Sequence, residues 1–443
     1  MVAGRQLERW LDDQLQHAIP AMLASVSPVG IVKRRPGFAQ TVQPRKGSIV
    51  ASPALADWDP EPDYFFHWFR DSAIVVDALR LLYVAGRMGR EAVAHFNDFV
   101  SFSLALHKLD GRVLSSDPSW RAACAPDFVK FLRSDAELAT VQGDNVVADT
   151  RVNADATLDI SSWGRPQYDG SALRALAVLR WLGHADSAAL DAEALAHLLR
   201  GDLAFTSAHW REPCVDIWEE ERGYHYYTLR VSAAALEEGA KWLAASGQAE
   251  LARGYRGDAQ AIAKRLDGYW LEDERHYRSR VLSTGERSRK ELDISVILAA
   301  IHAGGQGTAH GVRDPRMHGT LARLEALFDG AYAINHHRPS GRAPAMGRYA
   351  GDIYFAGGAY YFSTLGAAEF CFRAAPGSIS AGDWIAKGDA FLETVRVFTP
   401  ASGAMSEQFD QRTGEPSSAR ELAWSYAALI SCVAARRAAL NRG

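Results

Sequence analysis

Apolar residues recur at three- and four-residue spacing along most of this chain, which is the periodicity of a helix with one buried face. The pattern predicts helices near 6–26, 70–88, 92–109, 171–184, 188–201, 227–246, 248–267, 291–302, 316–329, 359–373, 381–397 and 420–438. Ala-rich runs such as SAAALEEGAKWL (232–243) are strong helix formers in their own right. Strand patterns are scarce: only 47–52 and 277–282 predict short strands, and both sit inside loops. Long connections (27–69, 110–170, 202–226, 268–290, 330–358 and 398–419) alternate with short ones at Gly89-Arg90, Gly183–Ala185 and Gly247. The turn from Ala303 to Pro315 is intermediate in length. If successive helices run antiparallel, the long loops emerge together at one end. About twelve helices in that order predict one all-α domain over 1–443, a closed ring of helical hairpins with its function on the long-loop end.

Composition narrows the classes. Of the 443 residues 48% are hydrophobic and 23% charged, as in a globular protein with a large core. A net charge of −4 leaves no basic footprint for nucleic acid. No run of 18 apolar residues predicts a membrane span. At the N-terminus Glu8, Asp12 and Asp13 interrupt what an export signal would need, and Leu7, Trp10, Leu11 and Leu15 instead mark an amphipathic helix. The expected location is the cytoplasm. The cysteines (124, 214, 371 and 432) are far apart; reduced thiols are the simplest account, with one disulfide left open. Twelve Trp and fifteen Tyr suit sugar stacking and core packing equally.

The chemistry is concentrated in the long loops. Asp216-Ile217-Trp218-Glu219-Glu220-Glu221-Arg222-Gly223 places three carboxylates after a large ring. Taken alone it reads first as a solvated acidic helix start. A carboxyl beside an apolar ring and like charges is, however, also the setting that raises a pKa toward neutrality, as a proton donor requires. PDYFFHWFRDS (62–72) ends its loop in Arg70-Asp71, and SWGRPQYDG (162–170) combines Trp163 and Arg165 with an amide and a carboxylate on a backbone fixed by Gly164 and Pro166. GRYAGDIYFAGG (347–358) and SEQFD (406–410), followed by ELAWSYAAL (421–429), repeat the mixture. A glycosidase needs two carboxyls on opposite faces of the scissile bond, and two loops can supply them where one helix cannot.

Together these five motifs, in this order, resemble glycoside hydrolase family 15, the glucoamylase family, over roughly residues 5–440. The resemblance implies an (α/α)6 barrel formed by the catalytic domain alone, without a starch-binding module or an N-terminal β-sandwich. It implies that Glu219 is the general acid and Glu407 the general base of an inverting, exo-acting α-glucosidase releasing β-glucose. Arg70, Asp71 and Arg348 match the residues that hold the non-reducing glucose. Tyr64 and Trp424 match aromatics around the base and its water; Trp163 matches the tryptophan that supports the acid, and Glu220 a residue near the +1 sugar. Trp68, Trp163 and Trp218 are expected as ring walls, and Arg165 as a further substrate-binding residue. No cofactor or metal is implied, and the expected partner is an oligosaccharide.

Two departures bear on the leaving-group side. The family's GRYPED is Gly347-Arg348-Tyr349-Ala350-Gly351-Asp352 here, and its Gly-Gly-x-Pro-Trp is Gly357-Gly358-Ala359-Tyr360-Tyr361. Short maltooligosaccharides are the expected substrates. Isomaltose or dextran hydrolysis, trehalase, transglycosylase and a non-catalytic sugar-binding barrel are the alternatives. Other chemistries find less support. Gly304-Gly305-Gln306-Gly307 echoes a dinucleotide loop but follows no buried strand. His336-His337 lacks metal-ligand spacing, no G-x-S-x-G elbow is present, and Cys214 reads as loop packing.

Overall fold

A computed structural model describes residues 2–57, 60–184, 189–305, 309–355 and 357–441. The long helices are α1 (Val2–Leu23), α2 (Phe69–Val84), α3 (Arg90–Leu106), α7 (Asp169–Leu182), α8 (Ala192–His209), α9 (Tyr226–Ala245), α10 (Ala249–Asp267), α11 (Ser295–Ala303), α12 (Pro315–Ala331), α13 (Tyr361–Ala374), α14 (Ala381–Phe398) and α15 (Ala423–Leu440). Between α3 and α7 lie three short helices, α4 (Gly111–Ser116), α5 (Ser119–Ala123) and α6 (Asp135–Ala139). Each predicted helix is present. The one expected at 188–201 lies further along, because the Asp191 carboxylate accepts from Ala194 N at 3.0 Å and starts α8 there. The strand expected at 47–52 is absent; only an isolated bridge from Ile49 to Val26 forms. Residues 277–282 form parts of two short strands, His276–Tyr277 and Arg280–Leu282. Gln306 and Gly307 of the Gly-rich turn fall outside the described residues.

The chain divides into two compact units, one of Ala24–Arg222 with Ala235–Asp258, the other of Met1–Leu23, Gly223–Ala234 and Ala259–Gly443. In the first, Trp181 of α7 is fully buried, stacks on Phe96 of α3 at 4.6 Å and donates from Nε1 to the Val76 carbonyl of α2 at 3.0 Å. A buried ion pair, Arg174 to Asp202 at 2.7 Å, ties α7 to α8. A Cβ on Gly170 would stand 2.5 Å from Phe69 Cβ, so this glycine lets the first turns of α2 and α7 lie side by side. The short strand His67–Trp68 pairs antiparallel with Arg151–Val152, which fixes the entry to α2.

In the second unit α13 is buried on all sides, as the centre of a helical layer must be. Gly366 meets Leu298 of α11, and Gly388 of α14 meets the Phe372 ring; in both places an added Cβ would come within 2.6 Å. Arg436 of α15 pairs with Glu8 of α1 and Asp389 of α14, each at 2.7 Å. All four cysteines are buried with free thiols. No helix among the described residues is long and apolar enough to cross a membrane.

Candidate active site

In the first unit the adjoining starts of α2 and α7 bring Arg70, Asp71 and Asp169 together, and the loop 216–221 adds Glu219. Arg70 Nη2 donates to Glu219 Oε1 at 3.0 Å and lies 3.2 Å from Asp71 Oδ2. Its Nη1 donates to Gln167 Oε1 at 3.0 Å and lies 3.7 Å from Asp169 Oδ2. Gln167 then donates from Nε2 to the Asp216 carbonyl at 2.7 Å and to Glu219 Oε1 at 3.3 Å. Three carboxyls thus share one guanidinium in a largely buried cluster. Burial outweighs the attraction of Arg70, and the charge of Asp71 adds to the rise at Asp169, as those of Asp71 and Asp169 do at Glu219. Burial pushes Asp71 up, Asp169 to about 6 and Glu219 to about 7. Glu219 therefore keeps its proton near neutrality.

The backbone holds Glu219 in place as firmly as its side chain does. Its φ is +59°, a left-handed conformation that is uncommon outside glycine. Asp216 stabilises the turn: its Oδ1 accepts from Trp218 N at 3.1 Å and Glu220 N at 2.9 Å, and its carbonyl accepts from Glu219 N at 3.0 Å. Gly164 packs directly against this turn, where a Cβ would sit 2.6 Å from the Glu219 carbonyl oxygen and 2.8 Å from its Cβ. Gly164→Ala must therefore displace the Glu219 carboxyl, and misplacement of a group that acts in the reaction by about an ångström costs about a hundredfold in turnover. The expected result is a fall of that size in kcat with an intact fold; unchanged kcat would show that the contact is slack.

Asp169 is fully buried, and neither carboxyl oxygen has a hydrogen-bond partner. Its native pKa of about 6 lies above the ordinary 3.8, so the native state binds the proton more tightly than the unfolded chain. Stability from this group is complete below pH 4 and is lost as pH rises through about 6. Asp169→Asn, which cannot ionise, should gain on the natural chain as pH rises, by up to about 3 kcal/mol at pH 8 and little at pH 4. Denaturant unfolding at the two pH values measures this; a pH-independent difference would contradict it.

The other expected residues of this unit form an aromatic row and a separate ion network. Tyr64 lies 5.1 Å from Trp68, and Trp68 lies 6.3 Å from Trp163 edge to face. The Arg151 guanidinium stacks on Trp163 at 3.9 Å. Arg165 is held by Asp149 at 2.5 Å and Asp159 at 2.7 Å, which makes it part of the frame beneath Trp163. Trp218 is buried, whereas Glu220 is exposed. Sequence reasoning passed over Asp169 and Gln167. Both stood in the SWGRPQYDG motif, but an Asp at a helix start is ordinary.

In the second unit Arg348 makes a bidentate pair with Asp352, Nε to Oδ2 at 2.7 Å and Nη2 to Oδ1 at 2.6 Å, so the Ala350-Gly351 departure leaves that clamp closed. The Tyr360 hydroxyl donates to Asp352 Oδ2 at 3.3 Å and accepts from Gln408 Nε2 at 2.8 Å. This links the clamp to the residue next to Glu407. Glu407 is buried, and its Oε2 accepts from Ser418 Oγ at 2.5 Å. Trp424, in the first turn of α15, stacks flat on Phe362 at 4.2 Å, and Ser425 Oγ donates to the Ser406 carbonyl at 2.8 Å.

Solved structures share the architecture. A glucoamylase from Hypocrea jecorina superposes with a TM-score of 0.78 at 23% identity, covering 98% of this chain and 72% of that one. One from Saccharomycopsis fibuligera gives 0.77 at 19%, covering 99% and 96%. The shared fold is an (α/α)6 barrel. The profile described as Glycosyl hydrolases family 15 matches residues 36–106, 147–388 and 385–434, and the chain belongs to that family. Among curated relatives, Glucoamylase 1 of Rhizopus oryzae is 25% identical over 98% of this chain and 72% of its own length. A probable glucoamylase of Schizosaccharomyces pombe is 26% identical over 98% and 92%.

Proposed function

We propose that the protein is an inverting, exo-acting α-glucosidase that releases β-glucose from the non-reducing ends of short α-glucans. The observation that carries this is the setting of Glu219, whose Oε1 accepts from Arg70 and Gln167 in a buried cluster with Asp71 and Asp169, where burial raises its pKa to about 7. That is what a general acid needs in order to protonate a sugar leaving group, whose departing alkoxide is a strong base. In the proposed single displacement Glu219 gives its proton to the glycosidic oxygen. Glu407 takes a proton from the water that attacks the opposite face of the anomeric carbon. Inversion requires roughly 6.5–9.5 Å between the two carboxyls, leaving room for that water. Arg70, Asp71 and Arg348 would hold the glucose hydroxyls, with Trp68, Trp163 and Trp218 as ring walls and Tyr64 and Trp424 around the base and its water. The relatives named glucoamylases support the substrate class.

Proton NMR of the first product from maltose, isomaltose and trehalose tests both parts. β-Glucose appearing first from maltose is expected. α-Glucose first would exclude inversion, and no glucose from any of the three would exclude the hydrolase reading. The preferred disaccharide assigns the linkage.

A further inference from the structure

One hydroxyl in the second unit touches both the Arg348 clamp and the strand that follows Glu407. It belongs to Tyr360, which is fully buried; it donates to Asp352 Oδ2 at 3.3 Å and accepts from Gln408 Nε2 at 2.8 Å. The same Asp352 oxygen takes Arg348 Nε at 2.7 Å. The backbone repeats the connection. Tyr360 N donates to the Met346 carbonyl at 2.9 Å, two residues before Arg348, and Tyr361 N donates to the Glu407 carbonyl at 3.3 Å. Residues 346–352 and 407–409, far apart in sequence, are thus held together through one short strand and its tyrosine.

Both partners use that oxygen for direction. Gln408 is fully buried; its Oε1 accepts from Gly358 N at 3.2 Å, and its Nε2 donates to the Tyr354 carbonyl at 3.2 Å as well as to Tyr360. An amide fixed at three points cannot turn, and it fixes the backbone of the residue before it. On the other side the Arg348–Asp352 pair is already bidentate, so the hydroxyl is not needed for charge balance. What it adds is placement of the carboxylate that orients Arg348. Burial pushes the Tyr360 hydroxyl up, and against the charge of Arg348 the carboxylates of Glu407 and Asp352 add to the rise, so the proton stays on oxygen and can be donated. Neither Pro nor Trp, the residues of the family pattern in this stretch, could make both contacts. Pro has no side-chain donor, and an indole N–H cannot accept. The bridge therefore comes with this chain's own departure at 357–361.

We infer that Tyr360 is a positioning residue: its hydroxyl sets the Arg348 clamp against Glu407, so that the sugar held by one is presented to the water activated by the other. The inference rests on the roles proposed above for Arg348 and Glu407. Tyr360→Phe tests it, because the ring keeps its packing against Phe362 at 5.2 Å and only the oxygen is lost. The Arg348–Asp352 pair survives, so KM for the preferred disaccharide should change by less than about twofold. Misplacement by an ångström costs about a hundredfold, and a loosened contact shifts the groups by less, so kcat should fall by about tenfold. The second arm makes the same substitution in Glu407→Ala and follows its residual turnover. With no base left to place, Tyr360→Phe should cost nothing further there, a non-additivity that simple loss of stability would not produce. An unchanged kcat in the natural background, a change confined to KM, or a tenfold loss in both backgrounds would each overturn the inference. A natural chain that cleaves none of maltose, isomaltose and trehalose would instead refute the function proposal, and the inference would fall with it.

Discussion

Glu219→Gln is expected to lower kcat on maltose by about a thousandfold, within the range for loss of a positioned proton donor. Gln keeps an Oε1 that can accept from Arg70 and Gln167, now at 3.0 and 3.3 Å, so the fold should survive. The pH profile makes the test specific. With Glu219 at about 7, the natural chain should lose kcat/KM as pH rises through neutrality, because the acid must be protonated to work. The variant has no proton to lose there, and its residual rate should be flat across that range. p-Nitrophenyl α-glucoside, whose leaving group departs with little help from an acid, should suffer a much smaller loss. Near-normal turnover of maltose, or a basic limb that persists in the variant, would take Glu219 out of the mechanism.

What raises the pKa of Glu219 was only partly legible in the sequence. The aromatic residue followed by carboxylates suggested a raised pKa, yet the raising comes mainly from burial, with contributions from Asp71 and Asp169. Asp169 lies fifty residues before Glu219 and reaches it only because Gly170 lets α7 start against α2. Short-range patterns do not report such a contact. The long helices were legible because an apolar stripe repeats over several turns. The five- and six-residue helices of 111–139 were not, because one turn carries no period to detect. Residues 47–52 look like a strand but do not pair as one. Gly47 has φ +87°, and the amides that follow go to scattered partners: Ile49 N to His67 Nδ1, Val50 N to the Ser25 carbonyl and Ala51 N to the Phe66 carbonyl. Their β-branched residues serve a buried loop instead.

Glu407→Ala should be as damaging as loss of the acid, but rescuable in a way that identifies its role. The carboxylate stands on a rigid support. Glu407 N donates to the Ala419 carbonyl at 2.7 Å, and its own carbonyl accepts from Tyr361 N at 3.3 Å. Gln408 and Phe409 then pair with Tyr360 and Ala359 on one side and with Ser417 and Pro416 on the other. Removing the side chain therefore leaves its surroundings in place and vacates a small space beside Ser418 Oγ. Turnover of maltose should fall by about a thousandfold with little change in KM, since a base acts on water and not on the bound sugar. Azide is small, already anionic and needs no base. It should restore part of the rate by attacking the same face of the anomeric carbon, and the product should be β-glucosyl azide. Glu219→Gln should show no such rescue on maltose, where the missing step is protonation of the leaving group. An α-configured azide adduct, or full activity without azide, would assign the base to another residue.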